Sequence, residues 1–195
     1  MKKPHGFTMI ELMVVISITA VLIVLAIPSF KLLIQSINIS TNVNTFMADI
    51  RFARSEAIKR GGTVFMCRSD LPEADNPSCS NSANAGTNGW ATGWFIFYDT
   101  NGNGLKDSND LVLRAHSPIL TVDTIVEGAS EKSTMLRFTG TGRLYNLPDD
   151  SSPLQLTFGG SAYATATKRV VCVNLGGYAR VAASGVTSCS AGTNN

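Results

Sequence analysis

Two features of the first dozen residues could take part in chemistry. One is the Gly6-Phe7 bond, which follows the short basic leader Met1-Lys-Lys-Pro-His. The other is Glu11, four residues beyond Phe7 in an otherwise apolar run. Glu11 is the only charged side chain between Phe7 and Ile27, and the run, about 20 residues, is long enough to span a bilayer as a helix. Lys2 and Lys3 hold the leader on the cytoplasmic side. A carboxylate inside a membrane helix is costly unless it finds a partner. Cleavage after Gly6 would create an ammonium on Phe7, and in a stack of such helices the amine of one subunit could meet Glu11 of its neighbour. An ordinary secretory signal could be cut near Val24-Leu25-Ala26, but it has no use for an acid at the head of its apolar region, and here the amphipathic pattern continues past Ala26. A plain single-span anchor does not need Gly6-Phe7 beside Glu11.

A second group of oxygen-bearing side chains lies in Asp99-Thr-Asn101-Gly-Asn103-Gly104-Leu-Lys-Asp107-Ser-Asn-Asp110. Asp99, Asn101, Asn103, Asp107 and Asp110 fall at the first, third, fifth, ninth and twelfth places with glycine at the sixth, the ligand spacing of a calcium loop. The same residues also suit a polar hairpin turn, in which Asn-Gly pairs supply positive φ. Both readings stay open. Cys67, Cys79, Cys172 and Cys189 all lie beyond the apolar segment, where an anchor would put them in an oxidising compartment. Sequence proximity favours Cys67 with Cys79 and Cys172 with Cys189 among the three possible connectivities. Neither Cys-x-x-Cys nor a nearby histidine supports zinc. No nucleophile-elbow, zinc-protease, dinucleotide or P-loop pattern occurs, and His116 is the only histidine left once the leader is removed, so an enzyme is not expected. Loss of Lys2 and Lys3 would bring the 16 basic residues to 14, equal to the 14 acids, so bulk charge implies no nucleic-acid partner.

The elements that must position these groups follow from periodicity. Apolar residues recur at Phe30, Leu33, Ile34, Ile37, Val43, Phe46, Met47, Ile50, Ala53, Ala57 and Ile58, spacings of three and four that mark a helix with one buried stripe. Helix is expected from about Phe7 to Arg60, roughly 80 Å long. Cations crowd its last turns and Gly61-Gly62 stops it. Pro28 and the β-branched, Asn-rich patch 37–45 are expected to bend or loosen it. Short β-prone runs follow at 63–67, 93–98, 111–114, 134–138, 154–158, 169–173 and 178–181. Helix first and strands afterwards give an α+β chain with an antiparallel β-sheet head packed on the outer half of the helix. The expected organisation is a cleaved leader (1–6), a transmembrane and filament-core half-helix (7–28), an outer half-helix (29–61) and a β-rich head (62–195).

Gly6-Phe7-Thr-Met-Ile-Glu11-Leu-Met-Val-Val15 resembles the class III signal of type IV pilins and type II secretion pseudopilins. Further along, Arg51-Phe-Ala-Arg54-Ser-Glu-Ala-Ile-Lys-Arg60, Gly89-Trp90…Gly93-Trp94-Phe-Ile-Phe-Tyr-Asp99, Phe138-Thr-Gly-Thr-Gly142-Arg143 and Cys172-Val-Asn-Leu-Gly176 resemble, more narrowly, the GspH/FimT/FimU minor pilins and pseudopilins. The resemblance implies that a prepilin peptidase cuts after Gly6 and methylates Phe7, and that Glu11 sets register with other pilins or minor pilins through the N-terminal helix. It also implies a bacterial inner-membrane protein with its head in the periplasm, later carried to a surface pilus. The leading expectation is a minor pilin that initiates or caps the type IV pilus, and a minor pseudopilin of type II secretion shares every motif. Some FimT-like proteins take up DNA, which implies a Gly-Arg-x-Arg motif that here reads Gly177-Tyr178-Ala179-Arg180. Residues 151–195 carry no acid, so a DNA role would rest on Lys168, Arg169 and Arg180, with Tyr178 able to stack on a base.

Overall fold

The computed structural model describes residues 8–80, 88–128, 134–145, 154–183 and 185–189. Helix α1 runs Met9–Arg60. Thr8 caps it, its Oγ1 accepting the Glu11 N–H at 3.3 Å, so that Thr8 and Glu11 stand at the two ends of a Thr-x-x-Glu capping pattern. Its C-terminus closes on Gly61 at φ 63°, a left-handed position suited to glycine, and the Gly61 and Gly62 amides reach back to the carbonyls of Ala57 and Ile58. Arg60 and Lys59 in the last turn pair with Glu56 at 2.8 and 3.3 Å, and the Arg60 hydrogen bond holds the Glu56 carboxyl below its ordinary range. The arms Met9–Val24 and Ser29–Arg60 are inclined at 41°, around the position of Pro28. No single helix among the described residues is long and apolar enough to cross a membrane; this bent pair passes together, by length and composition. The patch 37–45, expected to loosen, is continuous helix. Ile39 and Val43 there are buried against the head, and Asn42 Nδ2 donates to Thr121 Oγ1 at 2.9 Å, so packing overrides weak local propensity.

The head contains two antiparallel sheets rather than the single one the strand runs suggest. The first orders β3 (Leu111–His116), β2 (Trp94–Tyr98), β1 (Val64–Arg68), β5 (Met135–Phe138) and β6 (Leu144–Tyr145). The second orders β4 (Thr124–Glu127), β7 (Leu154–Gly159), β8 (Arg169–Val173) and β9 (Ala179–Val181). Both lean on α1, whose Ile39, Val43, Phe46, Met47, Ile50, Ala53 and Ala57 share one core with Met66, Trp94, Ile96, Leu136 and Phe138 of the first sheet and Leu154, Leu156, Phe158 and Val171 of the second. Phe46 is the hub: its ring meets Trp90, Trp94 and Phe158 edge-on at centroid distances of 5.5, 5.0 and 5.6 Å. Phe65, Cys67, Phe95 and Phe97 make a second cluster on the opposite face of the first sheet. The Cys67–Cys79 disulfide ties the segment after β1 to that cluster. The centre of the first sheet is therefore buried on both faces, which explains why β1 and β2 read as unbroken apolar runs instead of alternating ones.

Candidate functional site

The inner part of α1 carries the residues expected to drive assembly. Glu11 is exposed in its first turn, where a negative charge suits the helix dipole. Gly6 and Phe7 lie outside the described residues. Around and beyond Glu11 the helix is apolar on all sides: Met9, Ile10, Leu12, Met13, Val14, Val15, Ile16, Ile18, Val21, Leu22, Ile23 and Val24 are all more than half exposed. Ser17 and Thr19 turn their hydroxyls back onto the carbonyls of Met13 and Val15, at 2.8 and 2.7 Å, so their polar groups are satisfied within the helix. A shallow apolar groove lies where the arms bend, lined by Ile23, Ala26, Ile27, Phe30 and Ile34 with Lys31 and Gln35 at its edge.

Three polar anchors hold the outer part of α1 and the two sheets together. Asp49, 3% exposed within the apolar stripe, accepts from Trp94 Nε1 at 2.8 Å and from Arg114 at 2.7 Å, and the Arg114 guanidinium lies 3.9 Å from the Phe52 ring centroid. Glu127 of β4 accepts from Trp90 Nε1 at 2.6 Å and faces Arg68 of β1 at 3.7 Å, joining the two sheets. Arg54 donates to the Gly142 carbonyl at 2.9 Å and lies 3.8 Å over the Tyr178 ring. That third anchor explains two of the glycine-rich motifs. Gly177 has φ 74°, and a Cβ there would sit 2.2 Å from the Gly142 carbonyl oxygen; a Cβ on Gly142 would strike Ile58 and Arg54. Gly89 is constrained in the same way, since a Cβ would fall 2.0 Å from the Ile125 carbonyl.

The remaining predicted residues sort clearly. The disulfides Cys67–Cys79 and Cys172–Cys189 are those that proximity favoured. In the Asp99 to Asp110 loop the side chains bond inward. Asp99 accepts from the Gly102 and Gly104 amides at 2.7 and 2.8 Å, and Asp110 from those of Thr100 and Asp107 at 3.0 and 2.9 Å. Asp107 accepts from the Asn109 amide and from the side chains of Asn101 and Asn103, which hold its carboxyl below the ordinary range. Every carboxylate oxygen of the three aspartates already has a donor, and among the described residues no group of three or more His, Cys, Asp or Glu gathers to hold a metal. These bonds make an internally satisfied turn, with Gly102 and Gly104 at positive φ. Arg180 lies opposite Cys172 and shares its face, whereas Arg169 alternates with the core residues Val171 and Val173 and donates to the carbonyls of Ala166, Thr167 and Lys168. Arg54 covers one face of Tyr178.

Residues 42–177 match the family model described as "Type II transport protein GspH", and residues 1–27 match that of the "Prokaryotic N-terminal methylation motif". The chain belongs to the GspH family. Its fold is similar to that of the type IV minor pilin FimU of Pseudomonas aeruginosa strain PAO1 in two crystal forms. In space group P21 the identity is 18%, over 78% of this chain and 95% of that one, with a TM-score of 0.54. In space group P65 the identity is 19%, over 77% and 99%, with a TM-score of 0.51. No curated protein sequence matches the chain. Proteins of this family and fold are structural subunits, not enzymes.

Proposed function

We propose that this chain is a minor pilin of the type IV pilus. It is made as an inner-membrane prepilin with its head in the periplasm, cut after Gly6 and methylated on Phe7 by a prepilin peptidase, and built into the filament through α1 to initiate or cap it. The observation that carries this reading is the exposed apolar first half of α1, headed by Glu11, on a head with the fold of FimU. In this mechanism Glu11 pairs with the Phe7 ammonium of a neighbour, the apolar surface exchanges lipid for other helices, and the disulfide-braced head contacts the adjoining minor subunits. The processing step is tested by Gly6→Ala in cells: the variant is expected to keep its leader and to disappear from surface filaments. A Gly6→Ala protein that still matures and assembles would overturn the reading.

A second reading is a minor pseudopilin of type II secretion, favoured by the description of the matching family model. Deleting the gene separates the two. Loss of surface pili supports the minor pilin; intact pili with loss of protein secretion supports the pseudopilin.

A further inference from the structure

The Cys172–Cys189 disulfide closes a 17-residue separation around β9 and the turn that follows it. Its second cysteine lies on a segment with little packing of its own: Gly185, Val186, Thr187 and Ser188 are all exposed, and only Cys189 is half-buried. Burial therefore cannot set the position of Cys189. What meets the segment is the side chain of Gln155 on β7. Its Nε2 donates to the Thr187 carbonyl at 2.9 Å, and its Oε1 accepts the Cys189 N–H at 3.0 Å. A carbonyl and an amide two residues apart are the groups that a neighbouring β-strand would engage, so the side-chain amide acts as one rung of a missing strand. Gln155 also lies directly opposite Cys172 in the β7–β8 register, on the same face of the sheet. The residue that grips the tail is thus the cross-strand partner of the cysteine to which the tail must bond.

We propose that Gln155 is a positioning residue for the second disulfide, aligning Cys189 over Cys172. Oxidation joins the two Sγ atoms while two protons and two electrons pass to a disulfide oxidant, which leaves as two thiols. Any contact present with the tail docked and absent with it free raises the local concentration of one thiol at the other, and so favours the bond over the dithiol. Cys67, in Cys67–Cys79, belongs to the other sheet, which makes that disulfide an internal reference.

The test uses the full chain in detergent, equilibrated in glutathione buffers of graded poise, with thiol alkylation and peptide mass spectrometry reading each disulfide separately. Gln155→Leu is expected to move the Cys172–Cys189 equilibrium about tenfold toward the dithiol, the effect of two partly exposed hydrogen bonds, and to leave Cys67–Cys79 in place. Gln155→Glu keeps the acceptor for Cys189 N–H and loses the donor to Thr187, so an intermediate shift is expected; it also carries the test if the leucine variant does not fold. No shift in either variant, or an equal shift of both disulfides, would overturn the proposal.

Discussion

The inner and outer halves of α1 belong to one helix and are both rich in apolar residues, yet among the described residues only the outer half is buried against the rest of the chain. Ile39, Phe46, Ile50, Ala53 and Ala57 are completely buried under the two sheets, while Met9 is 82% and Ile10 74% exposed. The difference is one of pattern. From Ile39 onward the outer half keeps its apolar residues on one stripe, which the head covers; Phe30, Leu33, Ile34 and Ile37, expected in that stripe, are exposed, because the head begins to cover the helix only at Ile39. The inner half is apolar all round, which only a continuous apolar surrounding can cover. In the proposed function such a helix takes its partners from outside its own chain, first lipid and then other helices.

The comparison is sharpest where a truncation on one half is set against the same truncation on the other. Phe46→Ala is expected to lower the unfolding free energy by about 4 kcal/mol, read by denaturant titration of the full chain in detergent, because it empties the hub of three aromatic contacts. Leu22→Ala on the inner half should change the same quantity by less than about 0.5 kcal/mol and act instead on incorporation into filaments. Equal effects of the two would break the distinction. Asp49→Ala should cost about 3 kcal/mol, since it leaves Trp94 Nε1 buried without its acceptor and removes the partner of Arg114. Gly177→Ala should cost about 2 kcal/mol through its left-handed φ and the 2.2 Å approach to Gly142, detaching the head from Arg54.

Smaller effects belong to the Asp99 to Asp110 loop. Asp99→Ala is expected to lower stability by about 1.5 kcal/mol through two lost amide contacts, and millimolar calcium should leave the wild-type melting temperature unchanged. A calcium-dependent rise abolished by that substitution would restore the cation reading. Asp107 has a folded-state pKa below its ordinary value of 3.8, so its contribution is present above that value and is lost as pH falls through the still lower folded one. Asp107→Asn should flatten this acid limb of the stability profile and change little at neutral pH.

Much of this was legible in the sequence, and the gaps have physical causes. The three-and-four spacing of α1, its Gly61-Gly62 stop and the β2 run Trp94-Phe-Ile-Phe-Tyr98 are local signals, and they mark real elements. β4 escaped notice because Thr124–Glu127 buries only Ile125 and is flanked by turn-like sequence. Division of the strands into two sheets depends on pairings such as Val64 with Phe138, across more than seventy residues, which no local pattern encodes. Asp49 offered a faint clue as an acid within an apolar stripe. Arg54 offered none, since its partners Gly142 and Tyr178 come from two distant turns. Thr8 was readable as a cap, three residues before Glu11, but was overshadowed by the cleavage signal around it.

The measurement that bears most directly on the central claim is mass spectrometry of sheared surface filaments, covering the mature N-terminus. The account predicts peptides of this chain in the filament fraction, beginning at an N-methylated Phe7. Filaments with full peptide coverage of their other subunits and none of this chain, or a chain that still begins at Met1, would contradict it.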